Sequence, residues 1–201
     1  MKEPIKVLGV FGGSIHERSD SILRGQMARL LDSMREKDAL VEYHELGKVL
    51  KKLENTLPSK AFLSEEAVFL AGKVRWADIL IIATPVHWRL PSLTTVAFIH
   101  HVLAPLEWGG MENGGYECWG KVCATMINCD DDGAAMVGSS LHDTLNHMGF
   151  VSPPWSAHHK NIMMLNSEDD WQNNPGAFGP ILLETAKRMR GFPSPHEFSK
   201  K

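Results

Sequence analysis

Val7 to Ser21, VLGVFGGSIHERSDS, joins a compact apolar run to two glycines and a string of hydroxyl residues that opens a helix. Ile5 to Phe11 reads as a buried strand, β-branched at Ile5, Val7 and Val10 and stopped by Gly12 and Gly13. The glycines let backbone approach a ligand closely. Ser14, Ser19 and Ser21 offer hydroxyls, and the first amides of the next helix have no partner within it. A central strand that breaks in this way predicts a phosphate-holding turn, because an ordinary helix cap needs fewer hydroxyls than this loop supplies.

Downstream of that loop, apolar residues recur at steps of three and four from Ser21 to about Met34 (Leu23, Met27, Leu30, Leu31, Met34), which predicts an amphipathic helix packed on a sheet. Leu40 to Leu46 partly alternates, as an outer strand does, and Gly47 stops it. Lys48 to Leu63 has no sustained period and reads as loop. Ser64, followed by Glu65 and Glu66, is an N-cap pattern, with Leu63 and Val68 placed as a hydrophobic staple for a helix to about Trp76. Ile79 to Ala83 is apolar on both faces, the pattern of an interior parallel strand.

Pro91 and Ser92 open a helix to about Leu103. It is apolar on two sides, one stripe being Leu93, Val96, Ala97 and His100 and the other Phe98, Ile99 and Val102, so part of it is expected to meet a second subunit. Pro105 to Gly120 reads as a long Gly-rich, aromatic loop, and Lys121 to Ile127 as a further strand with a turn over Asn128 to Gly133. Val137, Leu141, Leu145 and Met148 mark a helix closed by Gly149. A last strand is expected over Lys160 to Leu165 and a last helix over Phe178 to Met189. Strands that alternate with helices predict an α/β fold, a parallel sheet covered on both faces.

The chain has 201 residues, 43% of them hydrophobic and 22% charged, which fits one globular domain over residues 1–201 with 192–201 as a loosely held tail. A formal charge of −3 gives no basic field, so nucleic acid is not expected as a partner. Cys118, Cys123 and Cys129 have neither disulfide nor C-x-x-C arithmetic, and no apolar run suits a secretory leader or a bilayer. A reduced, cytoplasmic setting without membrane contact is the expectation.

In a doubly wound sheet the ligand sits outside the carboxyl ends of the strands where strand order reverses. Three loops occupy such ends: Gly12 to Ser21, Thr84 to Ser92, and Asn128 to Ala134. The expectation is one ligand beneath all three, its phosphate on the first.

At these residues the chain resembles the flavodoxin-like NAD(P)H-dependent FMN reductases and quinone reductases. The likeness runs through Gly13-Ser14 and Ser19-Asp20-Ser21, Ala77 to Ile82 leading into Thr84-Pro85-Val86-His87-Trp88, Phe98-Ile99-His100, Gly120-Lys121-Val122 and the Leu145 to Gly149 helix end, spanning about Ile5 to Phe150. The resemblance implies a five-stranded parallel sheet in the order 2-1-3-4-5, bound FMN, a homodimer or higher homo-oligomer, and hydride passed from NADH or NADPH through FMN to a quinone, flavin or similar small acceptor. Carried over, it assigns the phosphate to Ser14, Arg18, Ser19, Asp20 and Ser21. Pro85, Val86, His87 and Trp88 would run along the flavin ring, with Asn128, Asp130 and Gly133 on its other side. It assigns no catalytic side chain, since the flavin carries the chemistry. The competing expectation is an FMN-binding or regulatory protein without reductase activity; the modest charge speaks against a one-electron carrier with an acidic docking face.

Other motifs fail on context. Gly115 to Lys121 fits G-x-x-x-x-G-K, but Val122 stands where a P-loop has Ser or Thr. Ser14 lacks the closing glycine of a nucleophile elbow. Asp130 to Asp132 and the pairs His100-His101 and His158-His159 are adjacent residues that cannot converge on one ion, so no metal site is expected; the aspartates suit a helix start.

Overall fold

The computed structural model describes residues 3–14, 18–50, 58, 61–62, 64–112, 115–129, 133–153, 157–161 and 175–193, with backbone alone for 18–19, 157–161 and 175. Its strands are β1 (Lys6–Phe11), β2 (Leu40–Glu45), β3 (Ile79–His87), β4 (Leu90–Pro91), β5 (Val122–Cys129) and β6 (Ala157–Asn161). The helices are α1 (Arg18–Arg35), α2 (Leu46–Val49), α3 (Glu65–Trp76), α4 (Leu93–Phe98), α5 (Ala104–Glu112), α6 (Ala134–His147) and α7 (Gly179–Met189). The sheet order is β2-β1-β3-β5-β6, all parallel, with the two-residue β4 folded back on β3. Setting β4 aside, this is the expected 2-1-3-4-5 order.

Alternation along the central strands divides the core in two. Val7, Phe11, Ile79, Ile81 and Ala83 face α1 and α7, where they pack with Leu23, Met27 and Leu182. Leu8, Val10, Leu80 and Ile82 face the other way, onto Leu70, Val74, Phe98 and Leu106 of α3 to α5. Because β1 and β3 are buried on both faces, their sequences are near-continuous apolar runs. Ser64 caps α3, its Oγ accepting the Ala67 N–H at 3.1 Å. Val68 is 52% exposed, and the Leu63 half of the expected staple lies outside the described residues.

The structure corrects two expectations. The chain from Pro105 is helical: α4 passes through a π-helical turn, Ile99–Leu103, into α5, which runs to Glu112. Pro105 has no N–H for the carbonyl four residues back, and burial of Ala104, Leu106 and Gly110 holds a Gly-containing segment in helix. Of the two apolar stripes on this helix, Phe98 and Val102 of one are wholly buried, and Leu93 of the other is 70% exposed. The last strand is Ala157–Asn161, paired from Thr125–Ala157 to Cys129–Asn161, and so begins three residues before the expected Lys160. An edge strand needs no apolar run; of the expected segment, 162–165 lies outside the described residues. No described helix is long and apolar enough to cross a membrane.

Candidate functional site

At its carboxyl end β1 runs into Gly12, whose N–H donates to the Ala83 carbonyl of β3 at 2.8 Å. This is the point where the chain leaves β1 toward α1 on one face and β3 toward α4 on the other. A Cβ on Gly12 would lie 2.0 Å from Thr95 Oγ1 and 2.7 Å from Ser92 Oγ; one on Gly13 would lie 2.5 Å from Phe11 Cζ and 2.8 Å from Asp20 Oδ2. Both positions therefore require glycine for close approach. The Ser14 N–H donates to Oδ2 of the wholly buried Asp20. The loop is thus braced from both sides.

Beside it opens a cleft of about 500 Å³, lined by Gly12, Gly13, Ser14, Glu45, Gly47, Lys48, His87, Ser92, Leu93 and Thr94. Its walls come from the ends of β1, β2 and β3 and the first turn of α4. Hydroxyls dominate the α4 side: the Ser92 N–H bonds Thr84 Oγ1 at 3.1 Å, Ser92 Oγ accepts the Thr95 N–H at 3.2 Å, and Thr94 donates to the Gly12 carbonyl at 2.5 Å. On the β2 side Glu45, its side chain only 13% exposed, holds Lys48 at 2.7 Å and Arg24 at 3.6 Å. Burial, reinforced by the Glu45 charge, pushes the neighbouring Tyr43 hydroxyl up to about 12.

The second loop is a tight hairpin. His87 pairs with Leu90 across Trp88 and Arg89, which take positive φ of 53° and 61°, the twist of a type I′ turn without its usual Asn or Gly. Trp88 is 97% exposed at the tip, Pro85 is buried and Val86 half-buried. The hairpin touches the third loop: a Cβ on Gly133, which caps α6 at φ 96°, would lie 3.2 Å from Arg89 Cα.

Of the residues singled out from the sequence, Gly12, Gly13, Ser14 and His87 line the cleft, with Ser92 at the end of the second loop. Ser21 is exposed on the first turns of α1, and Asp20 faces inward beneath the loop. Asn128 is a wholly buried member of β5, opposite Pro85, and not part of the turn, because β5 continues to Cys129. Asp130, with Asp131 and Asp132, lies outside the described residues, as do the side chains of Arg18 and Ser19. Glu45, Gly47, Lys48, Leu93 and Thr94 were not foreseen. The strand-end rule applied to β2, and the hydroxyl string Ser92-x-Thr94-Thr95 after Pro91, were signals that point to them. Among the described residues no group of His, Cys, Asp or Glu is placed to hold a metal.

Strand order, two-sided helix cover and a cleft at the β1/β3 reversal define a flavodoxin-like α/β protein. Residues 5–162 match the family described as NADPH-dependent FMN reductase, and the chain belongs to that family. Its cofactors are accordingly FMN and a nicotinamide nucleotide. Over 101 residues it is 33% identical to 8-demethyl-8-aminoriboflavin-5'-phosphate synthase of Streptomyces davaonensis, a match that takes in 49% of this chain and 38% of the relative, so the chain spans well under half of that protein's length. In structure it is similar to RosB with the bound intermediate 8-demethyl-8-formylriboflavin-5'-phosphate (TM-score 0.69, 16% identity, 94% of this chain and 81% of that one). It is also similar to an oxidoreductase from Corynebacterium diphtheriae (TM-score 0.68, 13% identity, 92% and 99%). These structural likenesses are likenesses of fold.

The donor set fits a phosphate-bearing flavin. Glycines that admit no Cβ, the exposed Ser14 hydroxyl and Lys48, paired with Glu45, meet at the strand ends.

Proposed function

We propose that this chain binds FMN with its phosphate on the Gly12 to Ser14 loop and passes electrons from NAD(P)H to a small acceptor such as a quinone or a second flavin. The observation that carries the reading is the braced glycine loop lining a cleft at the reversal between β1 and β3. Bound FMN supplies the hydride chemistry.

The chain's own residues bind, orient and exclude water. Ser14, Arg18, Ser19 and Ser21 take the phosphate together with backbone N–H groups at the start of α1, where the helix dipole favours an anion. Asp20 serves that loop from beneath, since its carboxylate accepts the Ser14 N–H. Pro85, Val86 and His87 border the ring, and Trp88, exposed at the hairpin tip, offers an apolar face over it. Asp130 and Gly133 belong to the opposite border. No side chain is assigned as acid, base or nucleophile. The same reading takes residues 1–201 as one domain, a homo-oligomer in the cytoplasm acting on small molecules.

The test is anaerobic titration of the FMN-loaded protein with NADPH and NADH, followed at the flavin absorbance band. Bleaching that reverses with a quinone supports the reading; FMN binding without bleaching favours a binding or regulatory protein. The 33% identity to an enzyme named for making an aminoriboflavin phosphate favours a second reading, in which the flavin phosphate is itself the substrate. Mass spectrometry of the flavin recovered after turnover separates the two, because a cofactor returns with its mass unchanged.

A further inference from the structure

One wall of the cleft lies outside the phosphate loop and the flavin-edge hairpin: the first turn of α4, where Ser92 and Thr95 crowd against Gly12 and Thr94 reaches its carbonyl. Thr94 Oγ1 lies 2.5 Å from Gly12 O, and a carbonyl only accepts, so the single Thr94 hydroxyl proton is committed to Gly12. Thr94 Oγ1 also lies 3.1 Å from Ser92 Oγ, whose own hydroxyl donates to Thr95 Oγ1 at 2.9 Å. Ser92 is anchored in turn through its N–H to Thr84 Oγ1 of β3. A cluster of hydroxyls anchored to the sheet thus surrounds the Thr94 contact with one carbonyl of the loop.

That carbonyl matters because of what lies across its peptide. A trans peptide directs its N–H opposite to its C=O, so a Gly12 carbonyl turned toward Thr94 turns the Gly13 N–H away from α4. The amides on either side are already committed, Gly12 N–H to the Ala83 carbonyl and Ser14 N–H to Asp20. Among the described residues no acceptor takes the Gly13 N–H. A peptide between two glycines has little steric bias of its own, so its direction must be imposed.

We propose that Thr94 is a positioning residue for the cofactor phosphate: by fixing the Gly12 carbonyl it fixes the direction of the Gly13 N–H, and with it the affinity of the loop for a phosphate-bearing flavin. This rests on the FMN reading above and adds to it a determinant on α4, outside the loop.

Riboflavin has the FMN ring without the phosphate, so the pair isolates the loop's contribution. Full-length wild type, Thr94→Val and Thr94→Ser are titrated with each by quenching of flavin fluorescence, and amide exchange over residues 12–14 is measured without flavin. Thr94→Val weakens FMN about 5- to 10-fold, the loss of one charge-directed hydrogen-bond arrangement, and leaves riboflavin unchanged. Thr94→Ser restores FMN binding, and exchange at 12–14 is faster in the Val variant alone. Equal weakening of both flavins, unchanged FMN affinity or unchanged exchange overturns the proposal. Wild type that fails to bind FMN overturns the function proposed above, and the exchange comparison then still decides whether Thr94 holds the loop.

Discussion

The buried carboxylate of Asp20 accepts the backbone N–H of Ser14, so the turn after β1 is closed by the helix it leads into. Asp20→Ala strands that N–H under the loop and is expected to cost about 1 to 3 kcal/mol in urea unfolding. Asp20→Asn keeps an acceptor oxygen and loses less. An alanine variant as stable as wild type contradicts the bracing role.

Gly12→Ala puts a methyl group 2.0 Å from Thr95 Oγ1 and must push the loop or α4 aside. The expected cost is about 1 to 3 kcal/mol of stability, as for other overpacked sites, together with weakened FMN binding. Adding Thr95→Ala relieves part of the crowding, so the double variant is more stable than the sum of the singles predicts. Strict additivity in denaturant melts speaks against the contact.

Burial pushes the Cys118 thiol up to about 12 and the Cys123 thiol up to about 11, from an ordinary 9.0. Below pH 9 both states of the chain hold these protons. Above it the unfolded chain releases them while the folded one retains them, so unfolding free energy falls as pH rises from about 9 toward about 12. Urea melts under reducing conditions at about pH 8 and about pH 10.5 measure the decline. Replacing both cysteines with alanine flattens the slope, and an equally steep decline in that variant assigns the effect elsewhere.

Arg190, just past α7, donates to the Pro4 carbonyl at 2.6 Å and to Asp78 Oδ2 at 2.7 Å. It ties the end of the last helix to the entry of β1 and β3, at the edge opposite the cleft. Arg190→Ala is expected to lower stability by about 1 to 2 kcal/mol, discounted for partial exposure, and Arg190→Lys to recover little because the planar fork is lost. FMN affinity is unchanged in both. A thermal melt unmoved by Arg190→Ala, or a flavin affinity that falls with it, contradicts this separation.

The interior of the fold was legible in the sequence because β1, β3 and β5 are buried on both faces and so are mostly apolar, with Thr84, Thr125 and Asn128 as the buried polar exceptions. Ser64 and Gly149 were legible because a cap and a positive φ each demand a residue type. β6 was misplaced because its edge pairing is made by backbone and leaves Ala157–Asn161 polar. α5 was hidden by Pro105, Gly109 and Gly110, whose low helix propensity is overridden by burial. At the site, Ser14 and His87 followed from strand ends alone. Thr94 did not, since its role passes through the backbone carbonyl of a residue 82 positions away, which no local pattern records.

The most direct test of the account is a comparison of FMN with riboflavin binding to the wild-type chain by fluorescence quenching. The account predicts saturable binding of both, FMN the tighter by at least about tenfold because the loop holds its phosphate. Equal affinities, or no quenching by FMN, would contradict it.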